Sequence, residues 1–472
     1  MNNESDRAET NAVASRADQL GTAPLARLLW TLSLPGVVGM LVMATYNIAG
    51  TFWVSRLPNE AEAIAALTVS FPLQMIAAAV ANGLSVGVAS LVARRLGAQQ
   101  HDQVADIAGH AVVLPFLAGL LLMALVLALP EPLLRAFGAH ADLLPVARPY
   151  LTTVALGLPF LLFLMTVGGL YRGTGDPRTP MIVMMISGLI NIVLDPFLIY
   201  GWAGLPRLEV QGAAVATVIS QVSVFFWLAL QVARGRGGFQ LTAAHLRPRW
   251  PIIREIYRVG APASMMQFVQ SIVISAFNAV LGKYGDGQTP VAAYGLTFRM
   301  LNVVFPVFFG VSQGLLPIAG YNFGARNYPR MWRAYHLAAI WTAGFGLLVT
   351  ILMGTLAVQA VAIFAHEPGL AEIGVVSVRF VIATMVLVAP QMMGVSMLQG
   401  MGYGTAAMFL ALTRQVVFLL PALFIMSRQF GMMGAFAATP LADALSFVVT
   451  IGYLWRVRAQ HHRDPDAIAA AA

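Results

Sequence analysis

The sequence has 472 residues, of which 58% are hydrophobic and 10% are charged, and its net charge is +8 at pH 7. Soluble globular proteins contain about 25% charged residues, so this composition excludes a soluble chain and indicates a membrane protein. The absence of cysteine from the sequence excludes disulfides, thiolate chemistry and cysteine-based metal sites. Residues 1–26 contain no apolar core of a signal peptide, so the first membrane span is expected to direct insertion.

Hydrophobic runs of helical length follow one another along the chain. They are continuous rather than alternating, which favours helices that cross a ~30 Å hydrocarbon core over the strands of a β-barrel. The predicted spans are 28–55, 62–92, 104–129, 143–170, 178–201, 210–233, 254–282, 290–318, 332–362, 372–398, 405–427 and 432–455. The sequence therefore predicts an all-α membrane protein with twelve transmembrane helices.

Polar segments divide these spans into two groups of six. A tail (1–27) precedes the first six-helix bundle (28–233), and a basic linker (234–253) separates it from the second bundle (254–455), which a second tail (456–472) follows. Most arginines outside the spans lie in the tails, the linker and the other even-numbered connections. Because positive residues are enriched on the cytoplasmic side, both termini are predicted to be cytoplasmic, in a bacterial inner (plasma) membrane. This distribution explains the positive charge without a nucleic-acid partner.

The second bundle repeats the first when the sequence is shifted by 227 residues. The aligned pairs include Pro35 with Pro262, Gly83 with Gly310 and Gly87 with Gly314. Six spans is an even number, so the two pseudo-symmetric halves enter the membrane from the same side, and alternating access between them favours a secondary transporter over a channel. The two Gly-x-x-x-Gly pairs are interpreted as structural, because they allow close helix contact.

An acidic residue, Asp195, lies inside the predicted fifth span. An ionisable group at this depth costs roughly 2.5–3.5 kcal/mol on insertion scales, which makes it a functional-site hypothesis. Asn191 lies one helical turn earlier on the same face, and Pro196 disturbs the backbone hydrogen bonding beside it. This group could hold a proton or a small cation. The alternative is a hydrogen-bonded aspartate that only packs helices.

Asp443, Arg299 and Arg414 are further charged residues inside predicted spans. Asp443 in the twelfth span is either a second functional acid or a packing residue, and Arg299 in the eighth either meets anionic groups or pairs with a nearby polar group. Both are weaker candidates for the functional site. Arg414 in the eleventh span is expected to extend its charged end towards the membrane surface.

The residue types needed for catalysis are not clustered in the sequence. The eight histidines are scattered through loops, tails and helix ends, and no phosphate-binding loop occurs. The sequence therefore predicts a protein that is not an enzyme and holds no metal or cofactor. With ATP excluded as the energy source, an ion gradient remains.

Seven stretches, in their order and spacing, resemble the multidrug and toxic compound extrusion (MATE) transporters, particularly the DinF-like branch. They are Leu34–Pro35 with Thr45–Ala49, Arg94–Ala98, Tyr171–Asp176, Asn191–Pro196, Gly212–Thr217, Gly320–Ala325 and Leu398–Gly402. The resemblance implies a monomer of two lobes in a V shape, surrounded by membrane lipids. It also implies antiport, in which lipophilic, mostly cationic drugs or dyes leave as protons or sodium ions enter.

The resemblance assigns candidate site residues as well. Asp195, Asn191 and Thr217 match an ion-coupling site inside the first lobe. The candidate substrate-binding or cavity residues are Tyr46, Tyr150, Asn47 and Met43. Pro35 matches a proline at which the first helix can bend.

The sequence departs from the family pattern at two glycines. Gly50 stands where DinF-like relatives commonly have an acid in the first helix, and Gly168 stands where an asparagine is often found. The site is therefore expected to have lost a carboxylate and an amide. A sodium ion needs several oxygen ligands, so this loss favours a proton over sodium at Asp195. Weak or relocated coupling, or an engineered glycine at position 50, are alternatives.

The leading prediction is a proton-coupled multidrug antiporter. One alternative is a lipid-linked sugar flippase of the same wider superfamily, although such proteins usually have two more spans or a strongly basic cleft. Another alternative is a coupling-deficient, transporter-like protein, which the glycine at position 50 supports.

Overall fold

The computed structural model describes residues 18–235, 241–284, 288–363 and 368–463. Every regular element in these ranges is a helix, which confirms the predicted all-α fold class. Residues 1–17, 236–240 and 464–472 of the predicted tails and linker lie outside the described residues.

The membrane-spanning helices are numbered α1 to α12 in chain order. They are α1 (Leu25–Val54), α2 (Glu60–Gly97), α3 (His101–Ala128), α4 (Leu144–Gly173), α5 (Arg178–Tyr200), α6 (Glu209–Ala233), α7 (Trp250–Leu281), α8 (Gln288–Gly324), α9 (Tyr328–Thr355), α10 (Pro368–Ile382 with Met385–Gly400), α11 (404–430) and α12 (431–463). Shorter helices, including Pro130–Ala136 and Ala357–Ala362, lie in the connections.

Two interruptions decide the number of spans. By length and composition, ten helices among the described residues can cross a membrane, and α10, bent by 49°, makes eleven. The last of the ten, Gly404–His461, has 58 residues, and a helix of that size would be about 87 Å long, far more than a ~30 Å core requires. Its backbone leaves helical geometry at Gly431, where φ is +60°. Counting the two sides of Gly431 separately gives the twelve predicted spans.

The helix that carries Asp195, α5, has defined ends. The Asp176 carboxylate accepts hydrogen bonds from the backbone N–H of Arg178 (3.0 Å) and of Thr179 (3.2 Å). These N–H groups have no carbonyl partner inside the helix, so the contacts stabilise its first turn. At the other end Gly201 has a φ of +77°, a left-handed conformation that favours glycine and ends the helix.

The described residues divide into two compact units. The first contains Val38–Ser264, and the second contains Leu20–Val37 together with the residues from Met265 onwards. One boundary falls inside α1 and the other inside α7, at positions that the sequence repeat aligns. In each of these two helices, therefore, the first half belongs to one unit and the second half belongs to the other. Compact packing and the sequence repeat thus divide the chain at different points.

The two units share one packing arrangement. In the first, α4 lies against α2, α3 and α6, and α5 packs on α6. In the second, α10 lies against α8 and α9. Because α10, α8 and α9 are the repeat partners of α4, α2 and α3, the sequence repeat is also a repeat of structure.

Close helix contacts occur at the glycine pairs, as predicted. In α2, a Cβ atom at Gly83 would lie 2.5 Å from the carbonyl oxygen of Gly260 in α7. In α8, a Cβ atom at Gly310 would lie 2.7 Å from the backbone nitrogen of Val37 in α1. Real Cβ atoms do not approach backbone so closely, so glycine is required for both contacts.

Candidate functional site

Three polar side chains meet where α5 packs on α6. Asp195 is 1% exposed and Asn191 is 5% exposed, although both lie in a helix of predominantly apolar residues. The Asn191 amide nitrogen lies 3.4 Å from Asp195 Oδ1 and 3.3 Å from Thr217 Oγ1, and donates to both. The Thr217 hydroxyl donates in turn to the carbonyl oxygen of Ala213, 2.9 Å away. The structure therefore brings the three predicted ion-coupling residues into one hydrogen-bonded group.

The second oxygen of the Asp195 carboxylate faces α1. A Cβ atom at Gly50 would lie 3.5 Å from Asp195 Oδ2, which is an ordinary van der Waals distance. Gly50 is thus the α1 residue beside the carboxylate. A small side chain at this position would touch Asp195 without forcing the helices apart.

Two tyrosines lie near Asp195. The Tyr150 hydroxyl on α4 accepts a hydrogen bond from the Gln74 side-chain amide on α2 at 3.3 Å. A Cβ atom at Gly188 on α5 would lie 3.6 Å from Tyr46 Cδ1, which places that ring of α1 against α5. Both phenol groups are close enough to Asp195 to interact with it electrostatically. Side chains from α1, α2, α4, α5 and α6 therefore converge on one region of the first unit.

Gln74 was not predicted as a site residue. The sequence feature that could have identified it is its polar side chain inside the predicted second span. Its role as the partner of Tyr150 depends on the packing of α2 against α4, which the sequence does not show.

Keeping a buried carboxylate charged requires compensation, because the interior has a low dielectric constant. In the part of the chain that the structure describes, the polar groups grouped with Asp195 are an amide, a hydroxyl and two phenols, all of which are neutral. A proton or a small cation would neutralise the carboxylate. The arrangement is therefore capable of binding and releasing a positive charge at the centre of a helix bundle.

The other predicted residues of α1 differ in their exposure. Met43 is 37% exposed and lies about one turn before Tyr46, and Pro35 is buried. Pro35 lies two residues before Val37, the last residue of α1 that belongs to the second unit. The side chain of Asn47 lies outside the described part of the structure.

Gly168 does not belong to the Asp195 site. A Cβ atom at Gly168 would lie 3.3 Å from Pro180 Cβ and 3.6 Å from Arg172 Nη1. Pro180 precedes Asp195 by four turns of α5, or about 22 Å at 1.5 Å per residue. The prediction that glycine at this position removes an amide from the site was wrong, because the site lies at the far end of α5.

A second polar group lies in the second unit around Asp443. The Asp443 side chain is 2% exposed, and it accepts from Arg414 Nε at 2.6 Å and from Thr384 Oγ1 at 2.7 Å. Arg414 belongs to a π-helical turn of α11, Thr413–Leu419. The prediction that Arg414 extends towards the membrane surface was wrong, because a buried carboxylate on α12 pairs with it. Arg299 on α8 is exposed.

Comparison with known proteins identifies the family. The MatE family model matches residues 35–197 and again residues 262–425. The two matches begin at the repeat-related prolines, so each half of the chain resembles the family by itself. The FAD transporter of Shewanella oneidensis is 30% identical over 363 residues, covering 74% of this chain and 77% of that protein. The multidrug export protein MepA of Staphylococcus aureus is 26% identical over 439 residues, covering 92% of this chain and 95% of that protein.

Solved structures show the same relationship. The chain is similar to a MATE transporter in the bent conformation, with a TM-score of 0.89, 26% identity and coverage of 95% of this chain and 98% of that chain. For the straight conformation the TM-score is 0.88 at 27% identity, with 94% of this chain and 99% of that chain covered. Because a family model matches both halves and the full-length fold agrees, the chain belongs to the MATE family of multi-pass membrane transporters.

Proposed function

We propose that this transporter exports lipophilic, mostly cationic compounds by alternating access and that inward flow of protons drives it. The observation that carries the proposal is the burial of Asp195 among neutral hydrogen-bonding groups inside the first unit. A buried acid in a membrane span that is not paired with a basic residue is a functional-site hypothesis by default. A transporter that loads and unloads one proton needs such a group.

The oxygen atoms around Asp195 favour a proton over sodium. Among the described residues of this group, Asp195 supplies the one carboxylate, since α1 has glycine at position 50, and Thr217 adds a hydroxyl whose proton already faces Ala213. The nitrogen of Asn191, rather than its oxygen, points at the carboxylate. Hard cations require several oxygen ligands, whereas a proton requires a single acceptor.

The aromatic and sulfur-containing residues nearby suit lipophilic cations. Tyr46 and Tyr150 present rings close to Asp195, and aromatic faces attract organic cations. Met43 adds a flexible, polarisable side chain that can adapt to different ligands. Binding of a proton to the carboxylate and binding of a cationic substrate would then compete in the same region, which is the requirement for antiport.

The change in access would involve bending of α1. This helix passes from the second unit to the first between Val37 and Val38, immediately after Pro35, where the backbone lacks one hydrogen-bond donor. A bend at this point would move Tyr46 and Gly50 relative to Asp195. Proton binding at Asp195 and the shape of the cavity would thereby be linked.

Efflux of a fluorescent lipophilic cation from proteoliposomes tests the proposal. A pH gradient and a sodium gradient are imposed separately on wild type, on Asp195→Asn and on Asp142→Asn, a matched control at an exposed acid. Only the pH gradient should drive efflux, and only Asp195→Asn should abolish it. Sodium-driven efflux in the wild type would contradict the choice of ion, and persistent proton-driven efflux in Asp195→Asn would contradict the site.

Flavin export is a second candidate function, because the relative at 30% identity is an FAD transporter. The same proteoliposomes loaded with FAD distinguish the two. Release of FAD in response to the gradient, without release of the cationic dye, would replace the multidrug proposal with a flavin-specific one.

A further inference from the structure

The second unit contains a groove that the proposed transport mechanism does not use. It has a volume of about 280 Å³ and is lined by residues of α9 and α12 and by Pro390 of α10. Apolar side chains such as Ala339, Ala343, Phe447 and Ile451 form most of its wall. The groove is separate from the Asp195 site, whose residues all belong to the first unit.

One end of the groove is cationic and aromatic. Arg458 Nη1 lies 3.2 Å from His336 Nε2, and the Arg458 guanidinium lies 6.0 Å from the centre of the Trp332 ring. A guanidinium has five N–H donors, of which the histidine contact uses one. Trp332 is itself held by a hydrogen bond from its ring nitrogen to His461 Nδ1 at 3.3 Å. The arginine therefore sits on a fixed aromatic wall with donors available for an anion.

The groove has the length of one membrane leaflet. From Arg458 to Phe447, α12 rises about 16 Å at 1.5 Å per residue. This is about half of a ~30 Å hydrocarbon core. Trp455, which is 76% exposed, lies at the same end as Arg458, where tryptophans typically mark the membrane interface. The charged end thus corresponds to the headgroup level and the apolar wall to the acyl-chain level.

The surrounding charge complements an anion. The sequence contains no Asp or Glu between Gly324 and His366, or between Asp443 and Arg463. The charged residues of α9 and α12 at this end are therefore all basic, and this is the arginine-rich side predicted to be cytoplasmic. Basic pockets between transmembrane helices on that side recognise anionic lipid headgroups.

We propose that this groove binds one anionic glycerophospholipid. The phosphate accepts hydrogen bonds from the Arg458 guanidinium, and one acyl chain lies along the apolar wall formed by α9 and α12. The lipid bridges the start of α9 to the end of α12 and so stabilises the second unit.

Lipid binding by the full-length protein in neutral detergent tests the proposal. The probes are dioleoyl phosphatidylglycerol, dioleoyl phosphatidylcholine, glycerol 3-phosphate and inorganic phosphate, with bound lipid counted by native mass spectrometry and stability followed by the thermal unfolding midpoint. Phosphatidylglycerol should bind and raise the midpoint by several degrees. The zwitterionic lipid and the two soluble phosphates should not, because they lack the net charge or the acyl chain.

Three variants locate the binding site. Arg458→Gln should weaken phosphatidylglycerol binding by about tenfold, the effect of losing one charge-assisted hydrogen bond. Ala343→Phe, which fills the groove while keeping the arginine, should also remove the shift in the midpoint. Arg456→Gln, at an exposed arginine outside the groove, is the matched control and should bind like the wild type.

Several results would overturn the proposal. Equal binding of the zwitterionic lipid would show that charge is not recognised, and a shift produced by the soluble phosphates would identify a free-anion site. An equal loss in Arg456→Gln would indicate a diffuse basic surface, and unchanged binding in Arg458→Gln or Ala343→Phe would place the lipid elsewhere.

Discussion

The contact between Gly50 and Asp195 Oδ2 defines what the coupling site can hold. The distance from a Cβ atom at Gly50 to this oxygen would be 3.5 Å, so the backbone of α1 leaves room for a side chain. With glycine at this position, Asp195 is the sole carboxylate of the group that Asn191 and Thr217 complete. The identity of one residue on α1 therefore limits the anionic oxygens available to a cation.

Gly50→Asp should introduce sodium dependence. The second carboxylate would lie beside Asp195, where two anionic groups and the Thr217 hydroxyl together offer a hard cation more oxygen ligands. The measurement is efflux driven by a sodium gradient in proteoliposomes. Gly50→Ala is the matched control, because it adds the Cβ atom without the charge. An equal response to sodium in the two variants would show that bulk, and not the carboxylate, causes the change.

The pair of Arg414 and Asp443 shows a different use of buried charge. Asp443 receives hydrogen bonds from Arg414 and Thr384, so each of its oxygens has a charged or polar partner. Opposite charges held this closely lower the cost of burying each of them. Asp443 is therefore a buried carboxylate whose charge a neighbouring arginine compensates.

Asp443→Leu should destabilise the protein by about 3 kcal/mol, because it leaves Arg414 partly buried without its carboxylate. The double variant Arg414→Leu/Asp443→Leu should recover most of that loss, since no uncompensated charge remains. Thermal unfolding in detergent measures both. If the double variant is no more stable than Asp443→Leu, the loss reflects packing rather than an orphaned charge.

At the scale of helices, glycine decides how closely α2 approaches α7 and α8 approaches α1. Gly87 faces the carbonyl group of Ile256, and its repeat partner Gly314 faces the backbone nitrogen of Ser33. The first contact joins α2 to the first half of α7, and the second joins α8 to the first half of α1. In both α7 and α1, the first half belongs to a different unit from the second half. These close contacts hold the first halves of α1 and α7 within the units to which they belong.

Gly87→Ala should lower the thermal unfolding midpoint and reduce transport. Its Cβ atom would lie 2.3 Å from the Ile256 carbonyl oxygen, so the helices must separate. Gly344→Ala on α9 is the control, because a Cβ atom there meets nothing within 4 Å. The control should be neutral or slightly stabilising, since alanine is favoured over glycine in helices by roughly 0.5–1 kcal/mol. Equal effects of the two substitutions would refute a role for close contact.

At the scale of the whole molecule, orientation follows from the distribution of arginine. We expect both termini to be cytoplasmic, because the arginine-rich connections lie on the same side as the tails. Fusion of green fluorescent protein to the C-terminus should therefore fluoresce, while alkaline phosphatase at the same position should be inactive. Fusions after Arg207, in the connection between α5 and α6, are the control and should give the opposite result. Active phosphatase at the C-terminus would reverse the predicted topology.

Most of the fold could be predicted from the sequence. Hydrophobic runs mark the twelve spans because each must cover its backbone with apolar side chains to cross lipid. The boundary between α11 and α12 was also visible, since Gly431 follows the polar turn that separates the two runs. The sequence did not show that α1 and α7 are each divided between the two units, because the apolar pattern of α1 is the same whichever unit it contacts.

The candidate site was predicted in part. Asp195 and Asn191 are recognisable because they are polar residues one turn apart in an apolar helix, and the family resemblance points to Thr217. Gln74 as the partner of Tyr150, the placement of Gly168 beside Pro180, and the pairing of Arg414 with Asp443 were not recognised. Each depends on which faces of two helices meet, and several rotations about a helix axis satisfy the same apolar pattern.

The sequence by itself determined the membrane environment, the number of helices and the duplication of this protein, and its motifs carried the resemblance to the family. Composition, the length of apolar runs and short motifs depend on residues close together in the chain. Only the tertiary structure decided which oxygen of Asp195 faces Gly50, which acid Arg414 pairs with, and that Arg458 closes an apolar groove. Such contacts join residues on different helices, and they arise from the depth and rotation at which those helices pack.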